Sequence, residues 1–216
     1  MADGRRDRER VRARLLPDGP SGRAEAVRVL RAGGVVALPT DTVYGIAADP
    51  SLPGALERLF AAKRRPPEKA IGLLVGSVEQ AAEAGRFGPA ARALADAFWP
   101  GGLTIVVRAR DGPGTVGLRL PDHPCPRTIA AAVGPLSTTS ANLSGEPEAP
   151  DAPEVLALLG DAIDLVLDGG PAHGGPASAV VDCTGRRPRV LRAGVITVDR
   201  LAAVLDAAAI EHGVGR

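Results

Sequence analysis

The sequence predicts an α/β fold with a mixed sheet, and three observations predict it. Short apolar runs at 35–38, 71–75, 103–107 and 163–167 are interleaved with stretches whose apolar residues recur at helical spacing. Glycines and prolines, 27 and 20 in number, fall between these runs and mark their ends. The chain is 45% hydrophobic yet only 2% aromatic, so its core must be assembled from Ala, Val, Leu and Ile. At 216 residues it has the length of one domain able to bury a full core.

Residues 1–20 mix Arg, Asp, Glu, Gly and Pro and are expected to form a disordered or weakly ordered arm, leaving 21–216 as the folded domain. Arg5, Arg6, Arg8, Arg10, Arg12 and Arg14 would suit a nucleic-acid arm. Asp3, Asp7 and Glu9 interrupt them, which favours a solvated tail. Ser21 is placed to cap a helix whose Ala24, Val27 and Leu30 share a face and which ends at Gly33. Residues 35–38 suit a strand buried on both faces, and Pro39 stops its pairing. Ser51 is placed to cap a second helix with Leu52, Leu56, Leu59 and Phe60 toward the core. That helix delivers Lys63, Arg64 and Arg65, and Pro66 and Pro67 forbid its continuation.

A strand at 71–75 follows, then a helix with a Ser77/Gln80 capping-box pattern and another from about Pro89. Residues 103–107 read as a strand, and 118–121 as a strand that stops at Pro121. Pro124 opens a helix to about Val133, and the polar run 137–142 then reads as a loop. Asp151 and Glu154 cap the next helix, which ends at Gly160. Strands at 163–167, 178–181 and 190–191 precede a last helix capped by Thr197, with Leu201, Val204 and Leu205 on its apolar face.

Several function classes are excluded. There is no GxxxxGK[ST], HExxH or GxSxG pattern. Residues 112–117 spell GPGTVG, but a strand follows where a dinucleotide fingerprint needs a helix. Cys125 and Cys183 have no metal-ligand spacing and read as reduced thiols. His123, His173 and His212 have no partner spacing and read as surface residues. No apolar run approaches a membrane span, and the Arg-rich start has no secretory h-region, so a cytoplasmic protein is expected. The net charge is +1, so anion binding must come from local clusters.

Two such clusters stand out. Cations sit at element ends, namely Lys63, Arg65, Lys69, Arg119 and Arg192, and suit a polyanion such as a triphosphate. Hydroxyls sit beside glycines and prolines, namely Thr40, Thr42, Thr115, Thr138, Ser140 and Ser178, and suit a small polar ligand with a carboxylate or carbamate. Such a site needs no covalent nucleophile, because it works by positioning two reactants and stabilising charge on a phosphoryl group. Each residue taken singly also has a structural reading, for example Lys63 to Arg65 complementing a helix dipole.

The blocks PTDTVYG, KRRPPEKAIGLLV, WPGGLTIVV, VGLRLPDHP, STTSANLSG, SAVVDCTG and VLRAG occur in this order over roughly residues 25 to 198. In that order they resemble the short, single-domain form of the YrdC-like threonylcarbamoyl-AMP synthase family. The resemblance implies a twisted sheet with flanking helices and a deep, positively lined cavity. It implies ATP, L-threonine and bicarbonate as substrates, Mg2+ carried on ATP, and threonylcarbamoyl-AMP and diphosphate as products. It further implies a downstream transferase complex that modifies tRNA beside the anticodon, and weak tRNA binding is compatible with it.

The same resemblance assigns roles. Thr40, Arg119, Thr138 and Ser178 would bind threonine and the carbamate, with Arg119 on the threonine carboxylate. Lys63, Arg65, Lys69, Thr115, Ser140, Asn142 and Arg192 would bind ATP, and no protein side chain would ligate the metal directly. Lys63, at a helix end beside two prolines, is expected to be exposed to the cavity. The chain departs from the family where Ser178-Ala179-Val180 replaces S-T-[IV] and Leu191-Arg192-Ala193-Gly194 replaces LRPG. It also lacks the PLIVH histidine of some longer members. Two other readings are an RNA-binding module without catalysis and a carbamoyl-adenylate-forming module. Few aromatics and near-zero net charge count against the first, and the lack of CxxC pairs against the second.

Overall fold

The computed structural model describes residues 12–66, 70–172 and 175–214. In order, the chain forms β1 (Arg14–Pro17), α1 (Pro20–Arg31), β2 (Val36–Leu38), β3 (Gly45–Ala48), α2 (Ala55–Ala62) and β4 (Gly72–Leu74). Then come α3 (Val78–Ala84), β5 (Gly85–Arg86), α4 (Pro89–Phe98), β6 (Leu103–Ala109), β7 (Thr115–Arg119) and α5 (Pro124–Val133). Last are β8 (Leu136–Ser140), α6 (Ala152–Leu159), β9 (Leu165–Asp168), β10 (Ala179–Asp182), β11 (Arg189–Arg192) and α7 (Val198–Ala207).

The strands form one twisted mixed sheet of order β1-β9-β2-β3-β8-β4-β7-β6-β10-β11, with β5 added to β6. Parallel pairs (β1–β9, β2–β9, β4–β7, β6–β10) are mixed with antiparallel ones, three of which (β2–β3, β3–β8, β8–β4) run in succession. One face is covered along its length. Val35, Ala37, Ile46 and Val166 pack there with residues of α2 and α6. Farther along, Leu103, Ile105, Val107, Leu118 and Val181 pack with α4 and α7. The opposite face is covered by α1 and α5 over Val36, Leu38, Ala47, Leu136 and Leu165. Beyond them the register carries that face onto Thr104, Val106, Thr115, Gly117, Arg119 and Val180, where it forms a cavity wall instead of a helix-covered core. This explains the two sequence textures. β2 is buried at every position, whereas β6 alternates buried Leu103, Ile105 and Val107 with less buried Thr104, Val106 and Arg108.

Several capping signals operate as expected. Ser77 accepts from Gln80 N at 3.2 Å and Asp151 Oδ1 from Glu154 N at 2.9 Å. Thr197 Oγ1 accepts from Arg200 N at 3.4 Å. His123 does more than sit at the surface, since its Nδ1 accepts from Cys125 N at 3.2 Å and caps α5. His173 lies outside the described residues.

Four expectations are corrected. Residues 12–20 are not part of an arm: β1 pairs with β9, Ala13 N donates to Gly160 O at 2.7 Å, and Arg14 pairs with Glu25. Backbone pairing to a free sheet edge is blind to charged side chains, so composition did not signal it. Residues 1–11 lie outside the described ones. The first helix starts at Pro20 after Gly19, because Pro fits the first turn, where an N–H has no helical partner; Ser21 is therefore inside it. The second helix starts at Ala55 after Gly54, whose φ of 78° is open to glycine, while Ser51 N and Oγ bond to Asp49 Oδ1 at 2.9 and 2.6 Å. Residues 137–140 are strand rather than loop: β8 lies between β3 and β4 and supplies hydroxyls from inside the sheet.

Candidate functional site

The cavity has a volume of about 490 Å3 and opens over β7, β6 and β10. Its floor contains Gly45, Gly72 and Gly117. A Cβ on Gly72 would lie 3.3 Å from Gly117 O, tighter than an ordinary contact, and with no side chain at Gly45, Gly72 or Gly117 the floor stays open. Hydroxyls of Thr40, Thr104, Thr115, Thr138, Ser140 and Ser178 face this space together with Arg65, Arg119 and Arg192. No Asp or Glu is among its described lining residues. With Thr42, which also lines it, nine of the residues that the sequence singled out are thus brought together.

Arg119 ends β7 and is 8% exposed. Its Nε donates to Gly101 O at 3.0 Å, Nη1 to Thr42 Oγ1 at 3.0 Å and Nη2 to Asp41 Oδ1 at 2.6 Å. The loop after β2 is itself knotted: Thr40 Oγ1 donates to Val43 O at 2.7 Å and accepts from Thr42 N at 3.1 Å. The guanidinium is therefore fixed in one plane, with N–H groups left over for a planar anion. Tyr44 lines the same wall, but its hydroxyl donates to Gly170 O at 2.6 Å and accepts from Gly169 N at 3.1 Å. Burial raises its phenol above the ordinary value.

On the other side, Ser178 Oγ lies 2.9 Å from Thr104 Oγ1 and accepts from Arg192 Nη2 at 3.1 Å. Arg192 also donates to Ser178 O from Nε and Nη2, at 3.1 and 2.7 Å. Arg192 is exposed as a residue, and partial desolvation of its guanidinium is the main cause that lowers it from its usual value. Glu148 opposes this, and the charge of Arg119 across the cavity adds to it. Arg65 reaches the lining from the segment after α2 and donates to Ala70 O at 2.9 Å.

Lys63 and Asn142 are placed differently from the expectation. Lys63 is 2% exposed and does not line the cavity. Its Nζ donates to Ser140 O at 2.6 Å, Asn142 O at 2.8 Å and Asn142 Oδ1 at 2.9 Å. Asn142 Oδ1 also accepts from Ser140 Oγ at 2.6 Å, and its amide donates to Glu146 O. The three carbonyl oxygens offered by the turn after β8 match the three protons of an ammonium, and so the lysine folds inward. Burial, with Arg65 adding to it and Glu148 opposing, pulls its pKa down to about 8. Lys69 lies outside the described residues. Sequence reasoning gave no role to Thr104 and no partner to Asp41. Thr104 carried one signal, being the polar member of an otherwise apolar strand.

Residues 28–194 match the model of the Sua5/YciO/YrdC family, whose description reads telomere recombination. The chain belongs to the Sua5/YciO/YrdC family. Among its relatives, a Mycobacterium tuberculosis protein provisionally named threonylcarbamoyl-AMP synthase is 42% identical over 202 residues, 88% of this chain and 92% of that one. The Bacillus subtilis threonylcarbamoyl-AMP synthase is 34% identical over 204 residues, 88% of this chain and 58% of that protein. The crystal structure of Pyrococcus abyssi Sua5 complexed with L-threonine superposes with a TM-score of 0.83 at 29% identity, covering 92% of this chain and 61% of that chain. The chain thus spans nearly all of the mycobacterial protein but about three-fifths of the Bacillus and Pyrococcus ones.

In this Sua5/YciO/YrdC chain no three His, Cys, Asp or Glu side chains converge on a metal position among the described residues. The cavity offers hydroxyls and guanidiniums, a donor set for phosphate and carboxylate oxygens rather than for a hard cation. Burial raises both Cys125 and Cys183 well above the ordinary thiol range, which makes them poor nucleophiles. No helix among the described residues is long and apolar enough to cross a membrane.

Proposed function

We propose that the chain is an L-threonylcarbamoyladenylate synthase, which converts ATP, L-threonine and bicarbonate into threonylcarbamoyl-AMP and diphosphate. The observation that carries this reading is one cavity holding Thr40, Thr138, Ser140 and Ser178 with Arg65, Arg119 and Arg192 and no lining carboxylate, in a chain of this family. Family membership and the synthase names of the relatives support it.

On this reading Arg119 takes the threonine carboxylate, held flat by Asp41, Thr42 and Gly101. Thr40, Thr138 and Ser178 hold the amino acid and its carbamate. Arg65, Arg192, Thr115, Ser140 and Lys69 serve ATP, while Lys63 and Asn142 serve it indirectly by holding the Ser140 turn. The threonine amine adds to bicarbonate-derived CO2 and loses a proton. A carbamate oxygen then bonds to the α-phosphorus as the bond to the leaving diphosphate breaks. Mg2+ arriving on the triphosphate would neutralise charge on that leaving group. Excluding water matters on this reading, because the carbamate and the mixed anhydride are labile.

The described residues would then form one catalytic domain, working in the cytoplasm where ATP and tRNA are found. The product goes to a separate tRNA threonylcarbamoyl transferase complex, with any direct tRNA contact weak. Diphosphate release tests the reading: it should require both L-threonine and bicarbonate. Equal release from ATP alone would contradict it, and salt-dependent RNA binding without turnover would favour a binding module instead.

A further inference from the structure

β5 and β6 bring two arginines face to face. Arg86 is the register partner of Arg108 in the antiparallel β5–β6 pair, and Arg108 is the partner of Thr115 on β7. Residues directly opposite share a face, with Cβ atoms about 5 Å apart. On β6 this is the cavity face, because Thr104 and Val106 line the cavity while Ile105 and Val107 are fully buried on the other side. Arg86 and Arg108 therefore stand side by side beyond the outer end of the cavity wall, and both are exposed. Arg86 Nη2 donates to Arg110 O at 2.8 Å, which holds it over the end of β6.

Neither arginine has an ion-pair partner among the described residues. A carboxylate stands near them on this face, that of Asp182, the partner of Val106. Its oxygens are committed to Thr184 N, Thr184 Oγ1 and Arg189 Nη2, at 2.9, 2.6 and 3.0 Å. Like charges directly opposite in a sheet are destabilising, and among the described residues no carboxylate forms an ion pair with either one. An anion bridging the two guanidiniums would offset that repulsion.

We propose that Arg86 and Arg108 form an oligophosphate subsite on the cavity face of the sheet, just beyond the cavity wall, which takes the diphosphate as it leaves. Two guanidinium forks match the oxygens of adjacent phosphoryl groups, as a single ammonium does not. The subsite itself stands on register and charge; only the identity of its ligand rests on the synthase reading. The same chemistry would suit the phosphates of bound ATP, and the test separates the two sources.

Inorganic diphosphate is titrated calorimetrically into the parent protein, Arg108→Gln and Arg86→Gln. Diphosphate affinity should fall about ten-fold in each variant, the loss of roughly one charge-assisted contact. ATP affinity should change by less than about two-fold on the same scale. Without anion, Arg108→Gln should melt no lower than the parent, because the repulsion is gone, and its rise in melting temperature with diphosphate should shrink. Unchanged diphosphate affinity in both variants would overturn the proposal. Equal losses for ATP and diphosphate would also overturn it, by assigning the pair to bound ATP. If the synthase reading alone is wrong, threonine-dependent diphosphate formation is absent while the calorimetric differences remain.

Discussion

The Nη2 atom of Arg119 lies 2.6 Å from Oδ1 of Asp41, with 9% of the arginine side chain and 14% of the aspartate side chain exposed. This contact joins the end of β7 to the loop after β2. Asp41→Asn leaves the guanidinium withdrawn from water without its counter-ion. We expect a stability loss of about 3 kcal/mol and a rise in the threonine KM that exceeds the rise in the ATP KM. Arg119→Lys should show the same bias, because an ammonium lacks the planar fork. Parallel changes in both KM values would assign Arg119 a structural role only.

Lys63 should reveal its burial through pH. The folded protein releases this proton near pH 8, whereas an exposed lysine keeps it to about 10.5. Between those values the unfolded chain binds more protons, so stability rises with pH across the window. Below the window the full cost of burying the charge is present. Denaturant unfolding of the parent and Lys63→Met from pH 8 to 10.5 should give a stability difference that shifts in favour of the parent as pH rises. A difference independent of pH would contradict the inward placement.

Gly117 tests the depth of the cavity. A Cβ there would meet Thr104 Cγ2 at 3.4 Å and Val106 Cγ2 at 3.7 Å, ordinary contacts in a strand without positive φ. Gly117→Val should therefore keep or slightly raise the melting temperature, since β-branched residues suit strands by up to about 1 kcal/mol. Its methyl groups fill the floor, and turnover should fall at least about ten-fold. A folded variant with parental kcat/KM would move the reaction out of this cavity.

Threonine and serine differ by one methyl group, and Val43, Ile71 and Val180 give the cavity apolar wall to contact it. Serine should be used with a kcat/KM about ten-fold or more below that of threonine, within the 1–3 kcal/mol that one methyl group supplies. Equal use of both would remove the apolar wall from the account.

Much of the fold was legible because apolar runs and caps speak directly: 35–38, Ser77, Asp151 and Thr197 all behave as their local chemistry requires. β3 was missed because Gly45, Ile46, Ala47 and Ala48 follow a polar loop and look like its continuation. β8 was missed because Ser137, Thr138, Thr139 and Ser140 carry no apolar alternation; their strand is set by neighbours β3 and β4 on both sides. The hydroxyls and arginines around the cavity were legible as a set, and Thr40, Thr115, Thr138, Ser140, Ser178, Arg65, Arg119 and Arg192 line one space. The direction of a single long side chain was not. Lys63 could point to solvent, to phosphate or inward, and three carbonyl oxygens from residues 77 and 79 positions away decide it. Asp41 stayed hidden for the same reason, as its partner Arg119 lies 78 positions along the chain.

The most direct test of the account is the product itself. The protein is incubated with MgATP, L-threonine and 13C-labelled bicarbonate, and the nucleotides are separated at once by liquid chromatography and mass spectrometry. Threonylcarbamoyl-AMP carrying the label should form only when all three substrates are present and be lost in Arg119→Lys at low threonine. AMP and diphosphate formed without threonine, or an adenylate that carries no label, would contradict it.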